Sequence, residues 1–306
     1  MTTGSVTSGM NGRITTQILR GAPLRDALLE QVTAAVANLG RVRMCIVQVG
    51  NHAASTTYIR HKLAAFSKVG IVAEVVKLRA EDGEQVLHET LRALARDADV
   101  HAIIVQTPLP EGWQVQAALD LVPAAKDIDG LSEPGMALRR AGDARALLPA
   151  TPLGVMRLLE HAGVDVVELK IAVIGKGMVA GAPLREMLAA AGAEVVGIDK
   201  DTRHPARLVR ECPVVITAAG VPGLVTDDWL QPGAVVIDVG ITRREGKLLG
   251  DVDAARVEGI ARIVTPVPGG VGPMTVASIL TNICDAACLQ LGRPRVAWVI
   301  DVAPAA

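Results

Sequence analysis

Short runs of Val, Ile, Leu and Ala alternate with stretches of helical spacing along most of this 306-residue chain. Few folds accept that pattern. The run at 42–49 reads as a buried strand, and those at 71–78 and 100–106 as strands. The segments 54–69 and 84–97 read as helices, the second with Val86, Leu87, Leu91 and Leu94 on one side. Strand–helix–strand repeats with short links require parallel pairing, and right-handed crossovers bring the strand ends to one edge. A second series begins at 171–174 and continues through 194–198, 214–217 and 235–239. Between the two series, 123–149 reads as an irregular interdomain connection with Pro134, Gly135 and Gly142. Thr151-Pro152 then reads as a helix start, a Thr cap followed by Pro in the first turn. The expectation is an α/β chain of two domains. Residues 1–149 with about 274–306 form the first, and 150–273 form a Rossmann-like, doubly wound parallel sheet. A final helix, 274–291, returns to the first domain.

Composition narrows the function. Lys plus Arg is 31 against Asp plus Glu 32, a net charge of -1 without a basic or acidic tail, and aromatics are 2%. Nucleic-acid binding is therefore not expected. The four cysteines form no CxxC pair, which predicts a reducing compartment, and Cys284 with Cys288 read as packing residues rather than a metal site. The first dozen residues lack the apolar run of a signal peptide. Residues 263–284 carry no charge, but Pro266, Pro268, Gly269, Gly270, Gly272 and Pro273 rule out a continuous membrane span through them. A cytoplasmic protein bound to no membrane is expected.

Four features suggest chemistry. Gly175-Lys176-Gly177, with Gly181 beyond, follows a strand and opens a helix. Such a turn delivers a pyrophosphate to a helix N-terminus, or is a tight turn without a ligand. Tyr58 and Lys62 lie four residues apart on one helix face, either a surface pair or a site in which a desolvated Lys acts as a base. Gln106 ends a strand, and in Lys126-Asp127-Ile128-Asp129-Gly130 alternation turns Asp127 and Asp129 the same way, as a solvated turn or a polar wall. The stretch 265–275 holds three Pro and three Gly, an open loop suited to close approach by a ligand or another backbone. Gly220 and Gly240 also stand where strands end.

Taken together, these stretches resemble the bifunctional methylenetetrahydrofolate dehydrogenase/methenyltetrahydrofolate cyclohydrolase family over roughly residues 12–290. The likeness is carried by Val49-Gly50, the run from Ser55 through Tyr58 to Lys62, Gln106-Thr107-Pro108-Leu109-Pro110, residues 126–130 and Thr151-Pro152-Leu153-Gly154. Residues 235–241, Gly250-Asp251-Val252-Asp253 and 265–275 complete it. The resemblance implies that Tyr58 stacks on folate, Lys62 is the key group for cyclohydrolysis, Gln106 tunes it, and Asp129 holds the pterin ring. It further implies that Pro268, Gly269 and Gly270 line the junction of folate and nicotinamide in an interdomain cleft. Gly175, Lys176, Gly177, Gly181, Asp199, Lys200, Ala219, Gly220, Gly240 and Ile241 would hold the cofactor. Partners would be one-carbon derivatives of tetrahydrofolate and a second copy in a homodimer, and no metal is implied. A dehydrogenase without hydrolase activity and a non-catalytic folate- or nucleotide-binding relative are the alternatives.

The chain also departs from that family. Gly-Arg-Ser is replaced by Gly175-Lys176-Gly177, a His-Ser pair by Asp199-Lys200, a Cys by Ala150 and a Leu by Thr107, and 131–148 lacks the usual His-Pro and Asn. Asp199 lies near the spacing of roughly 20 residues at which a carboxylate takes the ribose hydroxyls of NAD. Lys176 and Lys200 would instead neutralise the 2′-phosphate of NADP. Counting these three charges favours NADP, with NAD as the alternative.

Overall fold

The computed structural model describes residues 14–302; the N-terminal dozen residues, expected to hold no signal peptide, lie outside them. The chain begins with β1 (Gln17–Ile18), α1 (Ala22–Leu39), β2 (Arg43–Val49), α2 (Ala53–Lys68), β3 (Val72–Leu78) and α3 (Glu84–Arg96). It continues through β4 (Ala102–Gln106), α4 (Val115–Leu119), α5 (Glu133–Arg140), α6 (Ala150–His161), β5 (Lys170–Ile174), α7 (Gly181–Ala190) and β6 (Glu194–Ile198). The remainder is α8 (Pro205–Arg210), β7 (Val214–Thr217), β8 (Val235–Asp238), β9 (Thr242–Arg244), β10 (Lys247–Leu249), α9 (Ala254–Val257), β11 (Ile263–Val264) and α10 (Val271–Gln290). Two compact units result, one of residues 24–153 and 275–302, the other of 154–274 with residues 14–23.

In the first unit β3, β2 and β4 form a parallel sheet in that order. Successive residues of a strand face opposite ways, so β2 feeds two cores. Met44 and Ile46 pack with Val32, Phe66, Leu280 and Ile283, drawn from α1, α2 and α10. Cys45, Val47 and Val49 pack with Leu87, Leu91 and Leu119, from α3 and α4. The final helix thus joins the first unit's core, as expected. By length and composition α10 could cross a membrane, but 78% of its apolar window is buried inside the protein. It starts only at Val271, after the Pro- and Gly-rich loop has turned, with Pro273 tolerated in its first turn.

The irregular stretch expected at 123–149 contains a helix, α5. Ser132 caps it, its hydroxyl accepting from the Gly135 amide at 3.2 Å, with Glu133 in the first turn and Arg139 and Arg140 in the last. Those are dipole-complementary ends that the apolar period did not reveal, because the helix is only 8 residues long and buries none of them but Gly135. Helix α6 begins at Ala150, so Thr151 stands in its first turn rather than at the cap.

The second unit is a six-stranded parallel sheet in the order β1-β11-β8-β7-β5-β6. The chain leaves β5 for β6 on one side and returns to β7 on the other, which makes the carboxyl ends of β5 and β7 the switch point where ligands enter open α/β sheets. Two-residue β1 pairs with β11, which places the N-terminal segment in this sheet and not with the rest of 1–149.

Candidate active site

In the first unit β2 and β4 end level, Gln48 beside Gln106. Helix α2 follows β2 and lays Lys62 one turn after Tyr58. The Lys62 ammonium sits over the Tyr58 ring, 4.7 Å from its centroid. Lys62 is only 4% exposed, and burial pulls its pKa below the ordinary amine value, partly offset by the negative charge of Asp129. Tyr58 is 40% exposed, yet burial, with Asp129 adding to it, pushes its phenol up to about 12. A side chain both accessible and closely surrounded lines a recess. The pair is therefore not a surface pair: a lysine held off water against an aromatic face is where a neutral amine can persist.

Gln106 is nearly buried. Its amide donates to the Thr107 carbonyl at 2.7 Å, and its Oε1 has no hydrogen-bond partner among the described residues. A buried acceptor left open fits an incoming donor. Around it stand Ser55 and Thr56 of the recognised run, and Gln48, which motif reasoning passed over. Gln48 donates to the Thr56 hydroxyl at 3.1 Å, and Ser55 donates to the Thr107 carbonyl at 3.4 Å. Only its position at the carboxyl edge would have marked Gln48.

Asp127 and Asp129 separate. Residues 125–130 form a turn, not a strand, so alternation does not hold. Asp127 is buried, its two oxygens accepting from the amides of Gly130 at 3.0 Å and Ser132 at 2.7 Å, and burial raises its pKa to about 6. It builds the turn. Asp129 is half-buried, and its charge reaches both Tyr58 and Lys62. The Asn282 side chain of α10 pins this turn, donating to the carbonyls of Ile128 and Leu148 at 2.8 Å each. An Asn inside an apolar helix was the available signal.

In the second unit the strand ends are aligned: Ile174 lies beside Ile198 and Thr217, and Thr217 beside Asp238. Gly175, Asp199, Ala218 and Val239 therefore follow along one edge. Gly175 has φ of +103°, and a β-carbon there would come 2.3 Å from the Ala218 carbonyl oxygen; one on Gly181 would come 2.5 Å from the Gly175 oxygen. These two glycines let backbone meet backbone, so α7 begins directly under the turn. A β-carbon on Gly177 would meet nothing within 4 Å, which leaves the turn open above the helix N-terminus, with Met178 and Val179 exposed beside it. That cradle fits a pyrophosphate. Arg185 of α7 ties it underneath, donating to the carbonyls of Val173 (3.1 Å), Gly175 (2.8 Å) and Ile198 (2.7 Å).

Asp199 is engaged on all sides. Its Oδ2 pairs with Lys176 at 2.9 Å, and its Oδ1 accepts from the Asp201 amide at 3.0 Å and from the Thr202 hydroxyl at 3.3 Å. Asp201 comes within 3.9 Å of the same ammonium. Asp201 did not figure among the three charges counted from the sequence, and it cancels the positive balance assigned to Lys176 and Lys200. Lys200 is exposed. The amides of Ala219, Gly220 and Gly240 are occupied by carboxylates, so those residues do not offer their amides to a ligand. Ile241 is exposed; Pro268 is exposed, Gly269 half-buried and Gly270 buried. The Gly21 amide donates to the Gly269 carbonyl at 2.9 Å, so here another backbone makes the close approach.

Residues 19–129 match the family model for the tetrahydrofolate dehydrogenase/cyclohydrolase catalytic domain, and 149–291 match the model for its NAD(P)-binding domain. A bifunctional FolD protein of Rhodococcus jostii is 37% identical over 92% of this chain and 96% of the relative. The bifunctional FolD dehydrogenase/cyclohydrolase structure of Campylobacter jejuni superposes with a TM-score of 0.86 at 34% identity, covering 89% of this chain and 98% of that one. The Trypanosoma brucei enzyme, solved with NADP and an inhibitor, gives 0.85 at 32% identity, covering 90% and 99%.

Proposed function

The chain belongs to the tetrahydrofolate dehydrogenase/cyclohydrolase family, and from that membership we propose that it runs two consecutive reactions. It oxidises 5,10-methylenetetrahydrofolate to 5,10-methenyltetrahydrofolate with a nicotinamide nucleotide, then hydrolyses the product to 10-formyltetrahydrofolate. The observation that carries this reading is Lys62, buried against Tyr58 within reach of the Asp129 charge.

The nicotinamide nucleotide, when bound, accepts the hydride lost by the methylene carbon. The cation left behind is spread over two nitrogens, so the protein need supply no acid at that stage. Its task is to hold the ring system, a role for the Tyr58 face and for Asp129 as acceptor of ring N–H groups. In the second reaction a water oxygen bonds to the amidinium carbon and loses a proton. Lys62, whose burial favours the neutral amine, takes that proton; the remaining hydroxyl proton then passes to the departing ring nitrogen as its bond to carbon breaks, which leaves the formyl group. Gln106 Oε1 is the open acceptor that can orient the attacking water or the lysine.

For the cofactor we favour NADP. Lys176 is 57% exposed, so its ammonium is free to swing from Asp199 to a 2′-phosphate, and the trypanosomal relative was solved with NADP. Action as a homodimer in the cytoplasm is proposed on family membership alone. The test is formation and decay of methenyltetrahydrofolate absorbance with NAD and NADP in parallel. Oxidation with neither nucleotide would overturn the reading, and oxidation without decay would leave a dehydrogenase alone.

A further inference from the structure

Two carboxylates of the second unit are as withdrawn from water as its apolar core: Asp251 is 0% exposed and Asp238 2%. Asp251 follows β10, which belongs to neither parallel sheet, yet its side chain reaches the end of β7. Its Oδ2 accepts from the Thr217 hydroxyl (2.9 Å) and the amides of Ala219 (2.7 Å) and Gly220 (3.2 Å), and its Oδ1 from the Val221 amide (2.8 Å). Three consecutive amides turned on one anion are the arrangement by which backbone cradles a phosphate. Here the anion is part of the chain.

Asp238 holds Asp251 in turn. Its Oδ1 accepts from the amides of Gly240 (2.9 Å) and Asp251 (3.1 Å), and its Oδ2 from Val252 (2.9 Å). The loop after β8 lies directly on the Asp251 carboxylate, since a β-carbon on Gly240 would stand 2.2 Å from it. The Thr242 hydroxyl then donates to the Gly220 carbonyl at 3.1 Å, closing the circuit between the two loops. Segments 219–221 and 240–242 are thus fixed to each other through buried charge. Apolar packing would close the same space without burying two carboxylates, and it would let the loops slide. Charge with six backbone amides bound to it does not slide.

The order of strands says what these loops meet. Asp199, after β6, marks the adenosine ribose, and the Gly175 turn, after β5, takes the pyrophosphate. Continuing across the edge, β7 and β8 come under the other end of the dinucleotide, and there Val221 and Ile241 are exposed.

We propose that Asp251, seated on Asp238, is a positioning residue that sets segments 219–221 and 240–242 to receive the nicotinamide half of the cofactor. The proposal rests on the nicotinamide-nucleotide reading above. Its test is calorimetric titration of NADP and NAD into wild type and Asp251→Asn, with hydrolysis of methenyltetrahydrofolate, which needs no nucleotide, measured on the same preparations. Loss of one charged acceptor should raise the nucleotide Kd at least about tenfold while hydrolysis stays within about twofold. Thr242→Val cuts only the tie between the loops, and a Kd raised about threefold is expected there, which decides the matter should Asp251→Asn fail to fold. Unchanged nucleotide affinity in a folded Asp251→Asn overturns the proposal alone; so does unchanged affinity in Thr242→Val where Asp251→Asn does not fold. Wild type that binds neither nucleotide overturns the reading beneath it.

Discussion

Lys62 in the first unit and Asp251 in the second are both withdrawn from water, and their surroundings treat charge in opposite ways. Asp251 receives a hydroxyl and three amides, so its charge is fully compensated and its carboxylate has nothing left to give a substrate. Lys62 has an aromatic face at 4.7 Å and, among the described residues, no ion pair. Burial of Lys62 lowers its pKa, while the Asp251 carboxylate orders the backbone of 219–221 around it. Buried charge with partners is scaffold, and buried charge short of partners is chemistry.

Removing each charge should break this contrast in a defined direction. Replacing Lys62 by Met deletes the proposed base, and hydrolysis of methenyltetrahydrofolate should fall by about 10²–10⁴ with nucleotide affinity unchanged. Because burial penalises the charged amine, Lys62→Met should also melt no lower than wild type near neutral pH, whereas Asp251→Asn, which leaves backbone amides short of an acceptor, should melt lower. Wild-type hydrolysis by Lys62→Met would remove the lysine from the mechanism.

A smaller effect tests the neighbour that acts on Lys62 by charge alone. Hydrolysis should rise with pH as Lys62 loses its proton, with a midpoint below the ordinary value of 10.5. Asp129 holds that midpoint up. In Asp129→Asn the negative charge is gone, the ammonium is less favoured, and the rise in kcat should move to lower pH. Folate affinity should weaken in parallel by about 1–3 kcal/mol if Asp129 accepts from the ring. A profile that does not move would mean that Asp129 faces the ligand without influencing the lysine.

Strands β2, β4, β5, β7 and β8 were legible in the sequence because each is a short apolar run buried on two faces. The edge strands β3 and β6 were legible because an apolar run survives there despite exposure, and helices α2 and α3 because their apolar residues recur at helical spacing. Two-residue β1 and β11 carry too few residues for any period, and α5 shows itself only through its cap and end charges. Lys62, Tyr58, Gln106 and Asp129 could be named because a motif brings each with recognisable neighbours. That Asp127 builds the turn while Asp129 faces Lys62 could not be read, since it depends on a turn that alternation misrepresents. Asp251 and Asn282 act through backbone groups far away in sequence, as Asp238 does on Asp251 and Val252, and no spacing rule reaches these contacts. Asp201 was missed for a simpler reason: its effect runs through Lys176, whose side chain crosses to the neighbouring strand's end.

The smallest expected change concerns the cofactor, where the second unit has a charged site of the intermediate kind. Lys176, Asp199 and Asp201 compensate one another, but at an exposed position where partners can be exchanged. NADP would draw Lys176 to its 2′-phosphate and leave Asp199 facing that phosphate as a repulsive charge. NAD would leave the ion pair intact, with Asp199 adding a ribose hydroxyl to the donors it already holds. For NADP, then, the attraction of one ammonium is set against the repulsion of one carboxylate, and in an exposed setting the two nearly balance. Asp199→Ser removes the repulsion, keeps a short hydrogen-bonding side chain, and frees Lys176. The ratio of kcat/KM for NADP to that for NAD should rise by about tenfold, or about 1.4 kcal/mol. Because the groups are exposed, the gain should shrink as ionic strength rises. An unchanged ratio would show that Asp199 spends its charge wholly within the turn made with Asp201 and Thr202, and that Lys176 alone sets the preference.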